Sequence, residues 1–226
     1  MRMNLVENAT QQIKEMIVAK QYDDSGYLPC EGDLCKLLGV SRTTVREAIR
    51  SLEVRGLVKR IHGKGIMVVD NSVNVLTQTL VDVMSIGSGT ISDLIEVRNI
   101  IETASARLAS RRANMEDLKR MQRAVDYMEK SEVMDERYFE ADLDFHLAMV
   151  HAAKNPLLNA IVEAYIPLLK DTIKAASQGV ECIERKYHYH ADILRAIAAR
   201  DESQAENFIG VHLIATVKNV SQTWNS

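Results

Sequence analysis

Asp142, His146, His190 and His212 fall where helical periodicity asks for apolar side chains, and together they have the chemistry of a metal site. Asp142 and His146 are four residues apart, so they share one face of a helix expected over 135–153, beside the apolar stripe of Phe139, Leu143, Met149 and Val150. His190 fills the gap between Tyr187 and Leu194 in a stripe that also holds Ile183 and Ile197. His212 is bracketed by Phe208, Ile209 and Thr216. The turn joining the last two helices is expected near Arg200-Asp201, ten residues after His190 and eleven before His212. In an antiparallel pair, such positions meet at one level. An unpaired buried polar side chain costs about 1–3 kcal/mol, so four that converge need a shared partner. A divalent ion is the simplest one. Neutral imidazoles and a carboxylate suit zinc first, then nickel or manganese, and leave room for a small-molecule oxygen where coordination exceeds four. The alternative is ordinary core histidines, each hydrogen-bonded to a neighbour. His151 and His188 are read as surface residues.

Arg98 falls within the apolar stripe of Leu94, Ile101 and Leu108. A guanidinium facing a core needs an anion, and its planar fork suits a carboxylate. Two partners are open: the carboxylate of a bound effector, or an internal acid such as Glu102 on the next turn.

A second constellation lies within residues 28–69. A short helix, Glu31 to Leu38, ends at Gly39, and Ser41 stands where an N-cap belongs. The next helix turns Val45, Ile49 and Leu52 inward and Arg42, Thr43 and Arg46 outward near its N-terminus. That is where a recognition helix meets base edges and phosphates. Gly56 ends this helix. Leu57 to Ile61 and Ile66 to Val69 read as strands around His62-Gly63-Lys64-Gly65, a hairpin wing with His62 and Lys64 at its tip. The pattern is a winged helix-turn-helix, and double-stranded DNA is its expected partner.

The elements that position these groups are mainly helical. A first helix with Leu5, Ala9, Ile13, Met16 and Ile17 on one face ends near Lys20. After the polar link Asp70-Asn71-Ser72, helices are expected over 73–85, 91–111, 115–131, 135–153, 156–176, 181–199 and 202–223. Gly87-Ser88-Gly89 and Asn155-Pro156 punctuate them, and Asn114 with Asp117 and Asp201 with Gln204 resemble capping boxes. The expected fold is therefore mainly α: a winged helix-turn-helix domain over 1–70, then an antiparallel all-α bundle over 73–226. With 46% hydrophobic residues and three prolines in 226, the chain is long enough to bury a core in each.

Charge is divided unevenly. Residues 1–70 hold 11 Lys and Arg against 9 Asp and Glu, and the remainder holds 17 against 22, so only the first part suits a polyanion. Cys30, Cys35 and Cys182 have neither zinc-knuckle nor disulfide spacing and read as reduced packing thiols. No apolar run reaches the ~18–20 residues that span a bilayer. The opening residues carry acids and read as an amphipathic helix rather than a signal peptide. A cytoplasmic protein without membrane association is expected.

Leu28-Pro29, the run Ser41-Arg42-Thr43-Thr44-Val45-Arg46-Glu47-Ala48, Leu52, Gly56-Leu57 and His62-Gly63-Lys64-Gly65 resemble the GntR family of bacterial transcription regulators. The resemblance implies operator contacts by Arg42, Thr43, Thr44, Arg46 and His62. One position departs. The family usually carries, two residues after the position of Cys30, an arginine that often reads a guanine, and Gly32 stands there. Glu96-Val97-Arg98, Asp142 with His146, Asn155-Pro156-Leu157-Leu158, His190 with Ala196-Ile197 and Asp201, and His212 resemble the FCD effector-binding domain of the FadR subfamily. In metal-binding FCD domains an aspartate and three histidines hold the ion, which maps onto Asp142, His146, His190 and His212. The resemblance further implies a small carboxylate or sugar-acid effector beside the metal, and a homodimer made by the C-terminal bundles.

These readings converge on a ligand-responsive transcription regulator, a repressor of a carbon-metabolism operon that binds a palindromic operator. Two alternatives stay open: a regulator for which the ion itself is the signal, and a metal-dependent enzyme. The winged helix has no role in an enzyme, so no catalytic activity is expected.

Overall fold

The computed structural model describes the backbone of residues 4–177 and 183–224 and the side chains of residues 4–170 and 188–214. The expected helix start at 181, Cys182, and the side chains of Ile183, Tyr187 and Thr216 lie outside the described residues. By internal contacts the chain divides into two units, Met1–Gln78 and Thr79–Ser226.

In the first unit, Asn4 starts α1 (Leu5–Val18) with a capping box to Glu7. Its inner face buries Ala9, Ile13 and Met16, whereas Leu5, expected on that face, is exposed because the first turn runs past the core. The helices α2 (Glu31–Leu38) and α3 (Arg42–Val54) follow. Gly39 sits between them at φ 65°, the left-handed conformation that ends α2. Ser41 then accepts a hydrogen bond from the backbone N–H of Thr44 and caps α3. Val45, Ala48, Ile49 and Leu52 line the buried face of α3 against Ile13 and Leu34.

Past α3, Gly56 takes φ 71°, and a Cβ there would stand 2.9 Å from the backbone of Asn71. The wing strands are β1 (Val58–Ile61) and β2 (Gly65–Val68), antiparallel, each one residue from its expected start. Residues 26–28 also pair with β2, through Leu28 N–H to the Ile66 carbonyl and Val68 N–H to the Gly26 carbonyl. That isolated bridge, Tyr27 opposite Met67, was not legible beforehand, and three residues separate it from α2.

The division between units falls within α4 (Ser72–Ser85). The second unit is a helical bundle of α5 (Ile91–Arg112), α6 (Met115–Lys130), α7 (Glu136–Ala152), α8 (Pro156–Ser177), α9 (Ile183–Ala198) and α10 (Glu202–Trp224). Thr90 with Asp93 and Asn114 with Asp117 form full capping boxes at α5 and α6. At α10 the expected box is incomplete. The N–H of Asp201 is already taken by the Ala196 carbonyl, so Gln204 bonds the Asp201 carboxylate instead.

Three arginines register the helices at one end of this bundle. Arg112 donates from α5 to the Ala153 carbonyl just past α7 (2.8 Å). Arg200, in the α9–α10 turn, donates to the carbonyls of Ser110 and Ala113 at 3.0 and 2.8 Å. Arg111 meets Glu202 at the start of α10. Each charge-assisted bond satisfies a helix-end carbonyl or carboxylate. Together they hold α5, α7, α9 and α10 at fixed heights, and those four helices carry every candidate ligand. Among the described residues no helix is long and apolar enough to cross a membrane.

Candidate metal centre and nucleic-acid interface

In the first unit, α3 presents the expected face. Arg42, Thr43 and Arg46 are exposed and Thr44 is half-buried, its hydroxyl 2.9 Å from that of Ser41. His62 and Lys64 are exposed in the wing turn. The two elements are tied together by Arg60, which donates from β1 to the backbone carbonyl of Arg46 (3.0 Å), while its own N–H bonds Glu53 (2.8 Å). Glu31 holds the side chain of Arg46, Nε to Oε2 at 2.8 Å. The sequence reading assigned no role to Glu31 or Arg60, because partners 14 or 15 residues away across a turn leave no local pattern.

In the second unit, the structure brings Asp142, His146, His190 and His212 together, each offering a ligand atom within 4.8 Å of the others. All three histidines are buried. The Nε2 of His146 lies 3.2 Å from Nε2 of His212 and 3.4 Å from Nε2 of His190, and Nε2 of His190 is 3.1 Å from Oδ1 of Asp142. The rings of His190 and His212, placed at one level by the turn between their helices, have centroids 4.4 Å apart. Phe145 packs edge-on against His190 (4.8 Å) and His146 (5.8 Å), walling the cluster from the core.

Behind His146 stands Glu102, fully buried on α5. Its Oε2 is 2.6 Å from His146 Nδ1, its Oε1 accepts from Arg98 Nε at 2.8 Å, and Tyr165 donates to the same Oε1 at 3.1 Å. The internal acid is thus the partner that Arg98 takes here. Burial alone would raise the Glu102 carboxyl, but Arg98 and His146 outweigh it and bring it down to about 2. With an ionised acceptor at Nδ1, His146 carries its proton there and turns the Nε2 lone pair to the cluster. Burial pushes His146 down against the opposing pull of Glu102, and burial plus the neighbouring imidazoles push His212 well below the ordinary histidine range. Burial also opposes ionisation of Asp142, but the hydrogen bond from His190 and the surrounding imidazoles hold its carboxyl far below the usual carboxylate range. Neutral imidazoles at His146 and His212 and an ionised Asp142 are the protonation states of metal ligands.

The donor set fits a first-row divalent ion. Around metal–nitrogen bonds of ~2.1 Å, neighbouring ligand atoms stand about 3.0–3.4 Å apart. The three closest separations in the cluster match this spacing.

Two further features were missed. Tyr138, one turn before Asp142, and Ser105, one turn after Glu102 on α5, are buried with hydroxyls that have no hydrogen-bond partner among the described residues. An aromatic in an apolar stripe reads as packing, so the Tyr138 hydroxyl gave no signal. His151, expected at the surface, is half-buried between Arg120 (3.1 Å) and Glu163 (2.7 Å), where its ring joins α6, α7 and α8. His188 is exposed.

Residues 5–68 match the family described as bacterial regulatory proteins, gntR family, and residues 93–215 match the FCD domain. The transcriptional regulator LutR of Bacillus subtilis is 31% identical over 80% of this chain and 84% of its own length. The galactonate operon transcriptional repressor of Escherichia coli is 29% identical, covering 91% of this chain and 92% of that protein. The solved structure of a Streptococcus agalactiae GntR protein superposes with a TM-score of 0.71 over 94% of this chain and 99% of that one, and its 21% identity makes this a likeness of fold. On these matches the chain belongs to the GntR family of bacterial regulatory proteins, DNA-binding transcription regulators, and carries an FCD domain behind its winged helix-turn-helix.

Proposed function

We propose that this regulator is a repressor of a carbon-metabolism operon that senses a small carboxylate or sugar acid at a divalent metal held by Asp142, His146, His190 and His212. The observation that carries the reading is the convergence of three buried imidazoles and a carboxylate: His146 Nε2 lies 3.2 Å from that of His212 and 3.4 Å from that of His190, and His190 Nε2 lies 3.1 Å from Asp142 Oδ1. Four such donor atoms within 4.8 Å of one another match the ligand shell of a divalent cation, and burial disfavours the charged imidazolium that would compete with the ion at His146 and His212. Zinc fits the donor set best, and nickel or manganese fit it too. A divalent ion bound there supplies Lewis-acid attraction for a carboxylate or hydroxyl oxygen. Arg98, whose Nε is held by Glu102, would meet the effector's carboxylate with its remaining guanidinium N–H groups. The galactonate repressor among the relatives supports the sugar-acid class.

DNA contacts fall to Arg42, Thr43, Thr44, Arg46, His62 and Lys64, acting on chromosomal DNA in the cytoplasm. A palindromic operator calls for a two-fold dimer. The surface that suits a second copy lies on α5 and α10, where Val97, Ile100, Ala104, Val211 and Ile214 are exposed. This apolar face is flanked on α5 by Glu96 on one side and by Arg107 and Arg111, both paired with Glu202 of the same chain, on the other. The inner faces of these same two helices carry Arg98, Glu102 and His212. An effector that favours one arrangement of α5 and α10 therefore acts on the dimer face and changes the spacing of the recognition helices.

A fluorescence-anisotropy titration tests this reading. Metal-loaded protein on a duplex selected from a random library is exposed to lactate, galactonate and other aldonates and hydroxy acids. At least one should release the DNA from the wild type, and none from Arg98→Ala or chelated protein. Failure of every carboxylate with metal present contradicts the effector assignment. Ile100→Arg should sediment as a monomer, and an intact dimer would exclude this face.

A further inference from the structure

Of the three outward arginines of α3, Arg42 and Arg46, nearest its N-terminus, are set up differently. Arg42 makes no ion pair among the described residues. Arg46 is gripped at both ends: its backbone carbonyl accepts from Arg60, and its Nε is 2.8 Å from Glu31 Oε2. Its side chain nevertheless stays 60% exposed, and that of Glu31 is 30% exposed. Exposed ion pairs contribute little to stability, so folding does not account for the pair. A carboxylate on a DNA-binding face also repels phosphates, so it weakens any general attraction to the duplex. Glu31 is the first residue of α2, and residues 26–28 shortly before it pair with β2.

We infer that Glu31 is a specificity-determining residue of the DNA-binding face, one that orients Arg46 to read a guanine in the major groove. The inference rests on α3 being the recognition helix. With Nε occupied by Glu31, the two Nη groups remain. They form the end-on fork that matches O6 and N7 of guanine. A side chain already held in place loses less rotamer freedom on binding, so the contact formed is selective as well as favourable. At the same time the Glu31 charge discourages Arg46 from settling on a phosphate. Glu31 thus converts a general cation into a base reader, whereas Arg42, with no ion pair among the described residues, has no such positioning contact.

The test uses the full-length protein and a random-sequence duplex library. Wild type, Glu31→Gln, Glu31→Asp and Arg46→Ala each select their preferred half-site, and affinities are then measured for the wild-type-selected duplex and for an unrelated one. The wild type should enrich a half-site with a fixed guanine. Glu31→Gln should lose that guanine preference, with affinity for the selected duplex falling about tenfold. Its affinity for the unrelated duplex should stay level or rise, and its melting temperature should not change. Glu31→Asp should recover part of the preference. An unchanged half-site and an unchanged affinity ratio in Glu31→Gln overturn the inference. So do equal losses on both duplexes with a lowered melting temperature, which mark a structural staple. If Arg46→Ala keeps the wild-type site, or if the wild type enriches nothing, the recognition-helix reading itself fails and the inference fails with it.

Discussion

Glu102 Oε2 lies 2.6 Å from Nδ1 of His146, and the other oxygen of the same carboxylate holds Arg98. One buried acid on α5 therefore orients a candidate ligand on α7 and neutralises the only buried arginine among the described residues. Glu102→Gln keeps the shape and removes the charge. Metal affinity should fall about 10- to 100-fold, the usual effect of removing an outer-shell carboxylate behind a ligating histidine. Glu102→Ala leaves Arg98 buried without its anion and should destabilise the fold by about 3–5 kcal/mol. Metal titration of the first variant and denaturant unfolding of the second check these outcomes, and wild-type values in both would show that Glu102 is passive.

The Tyr138 hydroxyl is buried without a hydrogen-bond partner among the described residues. A buried unsatisfied group costs about 1–3 kcal/mol, and Phe fills the same space without it. Tyr138→Phe should therefore raise the denaturation midpoint or leave it unchanged. A clear fall in the midpoint would reveal a hydrogen bond that this structure does not contain.

Asp117 combines a cap and an ion pair. Its carboxylate accepts from the Asn114 N–H at 2.8 Å and lies 2.6 Å from Lys154 Nζ, a link from α6 to the α7–α8 turn. Burial pushes this carboxyl up, but the Asn114 and Lys154 bonds outweigh it and lower it from its ordinary value of 3.8. A group whose pKa is lowered by folding stabilises above the ordinary value, and that contribution disappears as pH falls through the lowered one. Asp117→Asn should cost about 1 kcal/mol at neutral pH, as a lost cap does. The difference from wild type should begin to shrink as pH falls toward 3.8 and vanish only once pH is below the lowered value. Melting curves across this range decide it, and a pH-independent difference would assign the effect to packing.

Helix positions were legible because caps and breakers sit at their ends: Ser41 before α3, Asn114 with Asp117 at α6, and Asn155-Pro156 before α8. The meeting of His190 with His212 was legible too, since both count from one turn. The pairing of Arg98 was narrowed to two partners because Glu102 is on the same helix. The contact of Glu102 with His146 was not legible, because α5 and α7 are separate elements and nothing local encodes their relative height. That height is set by arginine bonds at the bundle end, such as Arg112 to the Ala153 carbonyl. The bridge of Tyr27 to Met67 and the Glu31–Arg46 pair escaped for the same reason: both are tertiary contacts across turns.

The most direct measurement is elemental analysis of the purified, untagged protein with no metal added. About one zinc, nickel or manganese ion per chain is expected, with most of it lost in His146→Ala and His212→Ala while helical content is kept. A wild-type chain that carries no divalent metal and takes none up on titration would contradict the account. Asp142, His146, His190 and His212 would then be a buried polar cluster without an ion.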